Sequence, residues 1–205
     1  MTRLVVATEN PGKLREIARA LGEVGIEVVG HDSLADRTPV EETGETFADN
    51  ARIKAEAWSR RSPWPVLADD SGLEVDALDG APGVRSARFG GPGLDDAGRA
   101  SLVLARMASF PEAARRTARF RCVLAVASAG RTLATFEGTV EGRIAETARG
   151  PNGFGYDPIF FHPPSGCTTA ELSPEQKQRI SHRGQALERF LEALARRDPR
   201  LGPYE

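Results

Sequence analysis

Cysteine, lysine and asparagine are all scarce in this chain, and each scarcity narrows what the chain can be. Its two cysteines, Cys122 and Cys167, form neither a CxxC pair nor a zinc-type spacing, and the pattern supports no disulfide framework. Cys122 lies in an apolar run, Cys122-Val-Leu-Ala-Val-Ala127, where it reads as a small buried hydrophobe. Long hydrophobic runs are missing too. None approaches the roughly 18 residues of a membrane span, and Leu4-Val5-Val6-Ala7 is too short for a signal-peptide core. The expected setting is a reducing cytoplasm, with no membrane partner. Charge of one sign does not accumulate either: 27 Lys and Arg against 29 Asp and Glu leave a net −2, and no global field to gather nucleic acid. Any polyanion must be held locally, by a few placed cations or a metal.

Only three of the 27 basic residues are lysines, Lys13, Lys54 and Lys177, and asparagine occurs only at Asn10, Asn50 and Asn152. A bias toward arginine accounts for the totals but not for where the survivors fall, which is in the segments with chemical character. An ammonium is a compact point charge with rotatable donors, and a guanidinium cannot replace it where space is tight. The three lysines are therefore expected to contact the phosphates of a bound ligand.

With 205 residues the chain can form one substantial domain or two lobes sharing a core. No repeat, linker or low-complexity tract divides it, so residues 1–205 read as a single α/β unit. Leu4 to Ala7 reads as a buried strand, followed by the turn Thr8-Glu9-Asn10-Pro11-Gly12-Lys13. A helix then has Leu14, Ile17, Ala18 and Leu21 on one face, and Ile26 to Val29 is a second strand. That order predicts a parallel βαβ unit. Further helices are predicted from Thr46 to Arg60 and from Asp95 to Ser109. The last helical region opens with the N-cap and capping box Ser173-Pro174-Glu175-Gln176, with a break at Ser181. Val66 to Ala68 reads as a short strand delivering Asp69-Asp70-Ser71-Gly72. Thr117 to Ser128, Thr132 to Glu137, Thr139 to Glu146 and Ile159 to Phe161 read as strands, with Gly130 and Gly138 as turns.

Several segments carry chemistry. A turn from a buried strand into a helix exposes backbone N–H groups suited to phosphate, and in Thr8–Lys13 the glycine permits close approach while Lys13 adds charge. It lacks the spacing of a Walker A loop. Asp69 and Asp70 follow an apolar strand, a position that suits Mg²⁺ coordination and activation of water; Mg²⁺ takes one or two carboxylates together with substrate phosphates. Glu41 or Glu42 can add a further ligand. Phe154-Gly155-Tyr156-Asp157 combines aromatic faces, a glycine hinge and a carboxylate, a set able to stack on and read a base. Ser181-His182-Arg183, with Lys177 one turn earlier, forms a cluster of donors.

Six blocks, Thr8–Lys13, Glu41–Gly44, Asn50–Lys54, Asp69–Gly72, Phe154–Pro158 and Lys177–Arg183, occur in one order, joined by Gly80-Ala-Pro-Gly83, Ser86-Ala-Arg88 and the long 137–161 stretch. In this the chain closely resembles the inosine-triphosphate pyrophosphatase family, the house-cleaning dITP/XTP pyrophosphatases, over nearly its whole length. The resemblance implies an α/β fold with a mixed central sheet flanked by helices, two lobes around a nucleotide-binding cleft, and a homodimer. It implies cleavage of ITP, dITP and XTP between the α and β phosphates with Mg²⁺. By matching position, Thr8, Glu9, Asn10, Pro11, Gly12 and Lys13 resemble the triphosphate loop, Lys54 a phosphate contact, and Glu41 and Asp70 metal ligands. Asp70, with Asp69 beside it, resembles the proton acceptor and Ser71 a substrate contact. Phe154, Gly155, Tyr156, Asp157, Lys177, His182 and Arg183 resemble the nucleoside and base contacts. Arg85 departs from the aromatic or aliphatic residue many relatives carry, and the tail after Asp198 has no assigned role.

Two other readings compete. A septum-inhibitor-like pyrophosphatase would prefer pyrimidine or modified nucleotides, and the His182-Arg183 and Phe154–Asp157 segments argue against it. A catalytically silent nucleotide sensor would have no need of Glu41, Asp69 and Asp70.

Overall fold

Residues 3–201 are described by a computed structural model of the protein. The first apolar run forms β1 (Arg3–Ala7), with Leu4 to Ala7 buried. Helix α1 (Pro11–Gly22) begins at once because Asn10 caps it: its side-chain oxygen accepts from the N–H groups of Gly12 and Lys13, with Pro11 at the first helical position. The chain returns in β2 (Glu27–Gly30), parallel to β1 with Leu4 opposite Val28. Helix α2 (Phe47–Ser59), capped by Thr46, leads to β3 (Val66–Val75), which pairs parallel on the other side of β1 with Val6 opposite Leu67. The predicted parallel βαβ unit is present.

Helix α3 (Asp96–Met107) precedes the long strands β4 (Thr117–Ser128) and β5 (Arg131–Ile144). Two short strands follow, β6 (Phe160–His162) and β7 (Cys167–Thr168), then helices α4 (Pro174–Ile180) and α5 (His182–Ala195). The sheet order is β2-β1-β3-β4-β5-β6-β7, with β6 antiparallel to both β5 and β7. This is the mixed sheet of an α/β fold. Among the described residues no helix is long and apolar enough to cross a membrane.

The described residues pack as two compact units, one of 3–70, 122–137 and 185–201, the other of 71–121 and 138–184. Each has its own apolar core. In the first, Leu4, Ile17, Leu21, Leu67, Leu124 and Phe190 are buried together, and the turn Pro199–Leu201 adds Leu201, which gives the C-terminal tail a packing role. In the second, Leu73, Val103, Met107, Phe120, Ile159 and Phe160 form the centre. Full burial of such a side chain is worth about 1.5–3 kcal/mol. The second unit also buries Arg116, which pairs with no carboxylate among the described residues. Its guanidinium donates to the carbonyls of Met107, Phe110, Ile144 and Ala145 at 2.7–3.0 Å, and so joins the end of α3 to the end of β5.

Two strand predictions are corrected. The acidic pair does not end a strand: β3 continues through Asp69-Asp70-Ser71-Gly72 to Val75, because lysines compensate the aspartates and buried Leu73 and Val75 extend the apolar pattern. Gly138 is not a turn. Ala134, Phe136, Gly138 and Val140 are buried in alternation, so the period-2 pattern runs through the glycine and the two predicted strands are one.

Candidate active site

Successive residues of a strand face opposite ways, and β3 uses this to send Asp69 and Asp70 to different partners. Asp69 meets Lys13, near the start of α1, with 2.5 Å between Nζ and Oδ1, while its Oδ2 accepts from the Cys122 thiol on β4 at 3.1 Å. Asp70 Oδ1 accepts from Lys54 on α2 at 3.0 Å. Lys54 places its other donors on the Glu42 carboxylate, 2.6 Å, and the Asp69 carbonyl, 2.7 Å. Lys54 thus bridges the Glu42 segment to β3, using its three N–H groups inside the protein where the sequence suggested a phosphate contact.

Burial pushes the Asp70 carboxyl above the usual carboxylate range, against the pull of Lys54 and Lys13 and with help from Glu42. For Lys54, burial acts downward as the largest single influence, but Asp70, Glu42 and Asp69 together hold the ammonium above its ordinary range. Glu42 is the carboxylate paired with Lys54, and Glu41, next to it in sequence, is exposed to solvent. That segment is fastened to α2 by the buried Asn50, whose Oδ1 accepts from the Gly44 N–H at 2.8 Å. A Cβ on Gly44 would lie 2.6 Å from that of Asp49, so only glycine lets the backbone come this close.

Three amides of the Thr8–Lys13 turn are satisfied within the turn itself. Asn10 N–H is taken by Thr8 Oγ1 and those of Gly12 and Lys13 by Asn10 Oδ1, while Pro11 has none. Glu9 and Pro11 are exposed. The turn also carries the Lys13 ammonium.

No group of three or more His, Cys, Asp or Glu among the described residues is preassembled for a metal ion. One atom fits the role nonetheless. Asp70 Oδ2 is buried and has no hydrogen-bond partner, a costly condition for a carboxylate oxygen unless something else completes it. A hard divalent cation that takes one or two carboxylates and keeps its remaining positions for water and phosphate matches that donor.

A second cluster lies in the other unit. Ser71, next to Asp70 in sequence, accepts a hydrogen bond from Arg183 Nη2 at 2.8 Å, and Arg183 is buried. The segment 153–157 is fixed by the Asp157 carboxylate, which accepts from the Phe154 N–H at 2.8 Å, the Thr169 hydroxyl at 2.9 Å and Lys177 Nζ at 2.5 Å. The ammonium of Lys177 also sits 4.6 Å from the centre of the Phe154 ring and the Arg183 guanidinium 5.7 Å from it. Asp157 and Lys177 are therefore mainly a buried brace that presents Phe154. Asp96, in the first turn of α3, accepts from the Gly155 N–H at 2.9 Å, and the buried Tyr156 hydroxyl donates to the Ser86 carbonyl. Burial drives the Tyr156 phenol upward, so it stays protonated and keeps donating. His182 stacks on Phe120 with ring centres 4.8 Å apart. Ser181 breaks the last helical region as predicted, and its hydroxyl accepts from the Gly184 N–H as the cap of α5. Arg85 is exposed on the turn Gly83–Arg88.

Sequence reasoning missed Cys122, Asp96 and Thr169. An acidic pair opening a helix is a signal for Asp96; Thr169 and the thiol contact leave no local trace.

Comparison with known proteins bears on the family and the fold. The model of the Ham1 family matches residues 4–193. A dITP/XTP pyrophosphatase of Geobacillus kaustophilus is 52% identical over 187 residues, 91% of each chain, and one of Desulforamulus reducens is 48% identical over 95% of this chain and 96% of its own. Among solved structures, a Ham1 protein from Coxiella burnetii superposes with a TM-score of 0.84 at 41% identity, covering 96% of this chain and all of the other. A nucleoside-triphosphatase / dITP/XTP pyrophosphatase from Mycobacterium abscessus gives 0.73 at 43%, covering 93% of this chain and 99% of the other. On this likeness along nearly its whole length, the chain belongs to the Ham1 family.

Proposed function

We propose that this protein hydrolyses the deaminated purine nucleotides ITP, dITP and XTP between the α and β phosphates, releasing a nucleoside monophosphate and pyrophosphate. The observation that carries the reading is Asp70: one oxygen is fixed by Lys54 and the other is buried without a partner. Such a carboxylate is oriented to accept a proton from water attacking the α-phosphorus. The relatives named dITP/XTP pyrophosphatase support the substrate class.

Asp70, with the exposed Glu41 as second carboxylate, would hold Mg²⁺. When bound, the ion supplies charge neutralisation for the triphosphate as negative charge shifts toward the leaving pyrophosphate. Lys13 adds a fixed positive charge for phosphate oxygens, with Asp69 holding it in place. The Phe154 ring offers a face for the base, and His182 and Arg183 offer donors to a 6-oxo group. Adenine presents an amino group there, so its binding would leave buried donors unpaired. Sites built in this way can discriminate by roughly 10⁴–10⁵-fold. Guanine shares the 6-oxo group, so its rejection needs a further contact at the 2-amino position. The protein is proposed to act as a homodimer in a reducing cytoplasm; neither Cys122 nor Cys167 forms a disulfide among the described residues.

The test is product analysis. ITP, dITP, XTP, ATP, GTP, dTTP and UTP are offered in parallel with Mg²⁺, and again with EDTA. The expected result is pyrophosphate and monophosphate from the first three, little from ATP or GTP, and none with EDTA. Preferred turnover of dTTP or UTP, or release of inorganic phosphate with a diphosphate, would overturn the reading.

A further inference from the structure

Asp69 is a buried carboxylate with its side chain fully excluded from water. Such a group is tolerated only where both oxygens find donors. Lys13 serves Oδ1, and the sulfur of Cys122 donates to Oδ2 at 3.1 Å. Cys122 is itself 1% exposed and packs among the apolar side chains of the first unit's core. Its two properties are used together: the residue packs as a small hydrophobe in an apolar strand, and its S–H is a donor that costs little to bury. The contact comes from β4, the neighbour of β3 in the sheet, and joins residues 53 positions apart.

We propose that Cys122 is a positioning residue. Its thiol donates to Asp69 Oδ2, which turns the other oxygen toward Lys13 and fixes the ammonium that meets the triphosphate. This rests on the phosphate role given to Lys13 above. It also divides the labour of the two aspartates. Asp69 has each oxygen committed to a donor and serves as an anchor, whereas Asp70 retains an oxygen for chemistry.

The direct test is the S–H stretching band in the infrared, read on Cys167→Ser protein so that Cys122 is the one thiol present. The band is expected below the frequency of an unbonded thiol and is expected to move in the added Asp69→Asn variant. A band at the unbonded frequency overturns the proposal whatever the protein hydrolyses. The kinetic test compares Cys122→Ala with Cys122→Ser. Losing the donor should raise KM for ITP roughly fivefold with kcat within about twofold, and serine should restore most of the loss, the size expected of one modest hydrogen bond. Unchanged KM in a folded Cys122→Ala protein overturns the positioning role. So does a serine variant no better than alanine. If the parent protein does not turn over ITP at all, the functional reading fails separately. The infrared band and the binding of inorganic tripolyphosphate to parent and Cys122→Ala protein then decide the role of the thiol.

Discussion

Asp70 and Lys54 show how much at this site depends on single atoms. Replacing Asp70 by Asn keeps the shape and an acceptor for Lys54 but removes the proton acceptor. The expected loss in kcat is about 10²- to 10⁴-fold, with KM for ITP changed far less; a variant with near-parental turnover would remove Asp70 from the chemistry. Replacing Lys54 by Met strands the Glu42 and Asp70 carboxylates beside each other. Breaking a buried pair in this way costs about 3–5 kcal/mol, which a thermal melt would register as a large drop. Lys54→Arg is not expected to rescue it, because a planar guanidinium cannot place donors on three acceptors arranged around one nitrogen. At this scale the sequence was legible where chemistry is local. The adjacent aspartates after an apolar run, and the lone lysines in polar surroundings, can be read from neighbours alone. What was not legible is who pairs with whom. The thiol on β4, the hydroxyl of Thr169 on the brace, and the choice of Glu42 over Glu41 beside Lys54 all depend on chain segments brought together only by the fold.

Elements set the next limit, and α4 and α5 have the tightest tolerance. Between them lies Ser181, and a Cβ built on Gly184 would fall 1.7 Å from the Gln178 carbonyl oxygen. That carbonyl is backbone and cannot move aside alone. Gly184→Ala is therefore expected to destabilise the protein by roughly 1–3 kcal/mol or more. It should also raise KM for ITP, because the displaced segment carries His182 and Arg183; a variant that melts and binds like the parent would refute this. The short strand β6 gives a pH-dependent counterpart. Burial holds the His162 imidazole below its ordinary range, and its Nδ1 lies 2.8 Å from Ser165 Oγ. The unfolded chain takes up the proton as pH falls through 6.5, before the folded state does. This contribution to stability is complete above that pH and is lost progressively below it. Melting temperatures from pH 7.5 to 5 should fall more for the parent than for His162→Gln, and parallel curves would contradict it. Periodicity and the Ser173 cap made the helices readable, and the structure adds side-chain caps at Asn10, Thr46 and Asp95. Strand length was harder. The continuity of β3 through two charges and of β5 through Gly138 depends on cross-strand neighbours and on paired lysines, which no short window contains.

Across the whole molecule the distribution of lysine is the most informative feature. All three lysines are largely buried and ion-paired, Lys13 with Asp69, Lys54 with Glu42 and Asp70, and Lys177 with Asp157, their side chains only 15%, 13% and 7% exposed. The arginines, by contrast, supply most of the surface pairs, such as Arg119 with Asp76 and Glu141. A protein with net charge −2 thereby keeps its ammonium groups for two clusters, one in each compact unit. Ammonium is suited to this because it is compact and turns its donors to whatever acceptors surround it, where a guanidinium demands a planar arrangement. The arrangement makes a prediction that does not involve turnover. An amine-acylating reagent has to reach the nitrogen, and burial in an ion pair denies it that access. In the native protein Lys13, Lys54 and Lys177 should all resist modification at a dose that labels all three in urea, as read by peptide mass spectrometry. Equal labelling of any one of them in the native and unfolded protein would show that lysine is not held as described. The matching variants are Lys13→Arg, Lys54→Arg and Lys177→Arg: each is expected to retain charge yet lose activity, Lys54→Arg chiefly in kcat and the other two chiefly in KM, so that full activity in all three would show that charge alone suffices.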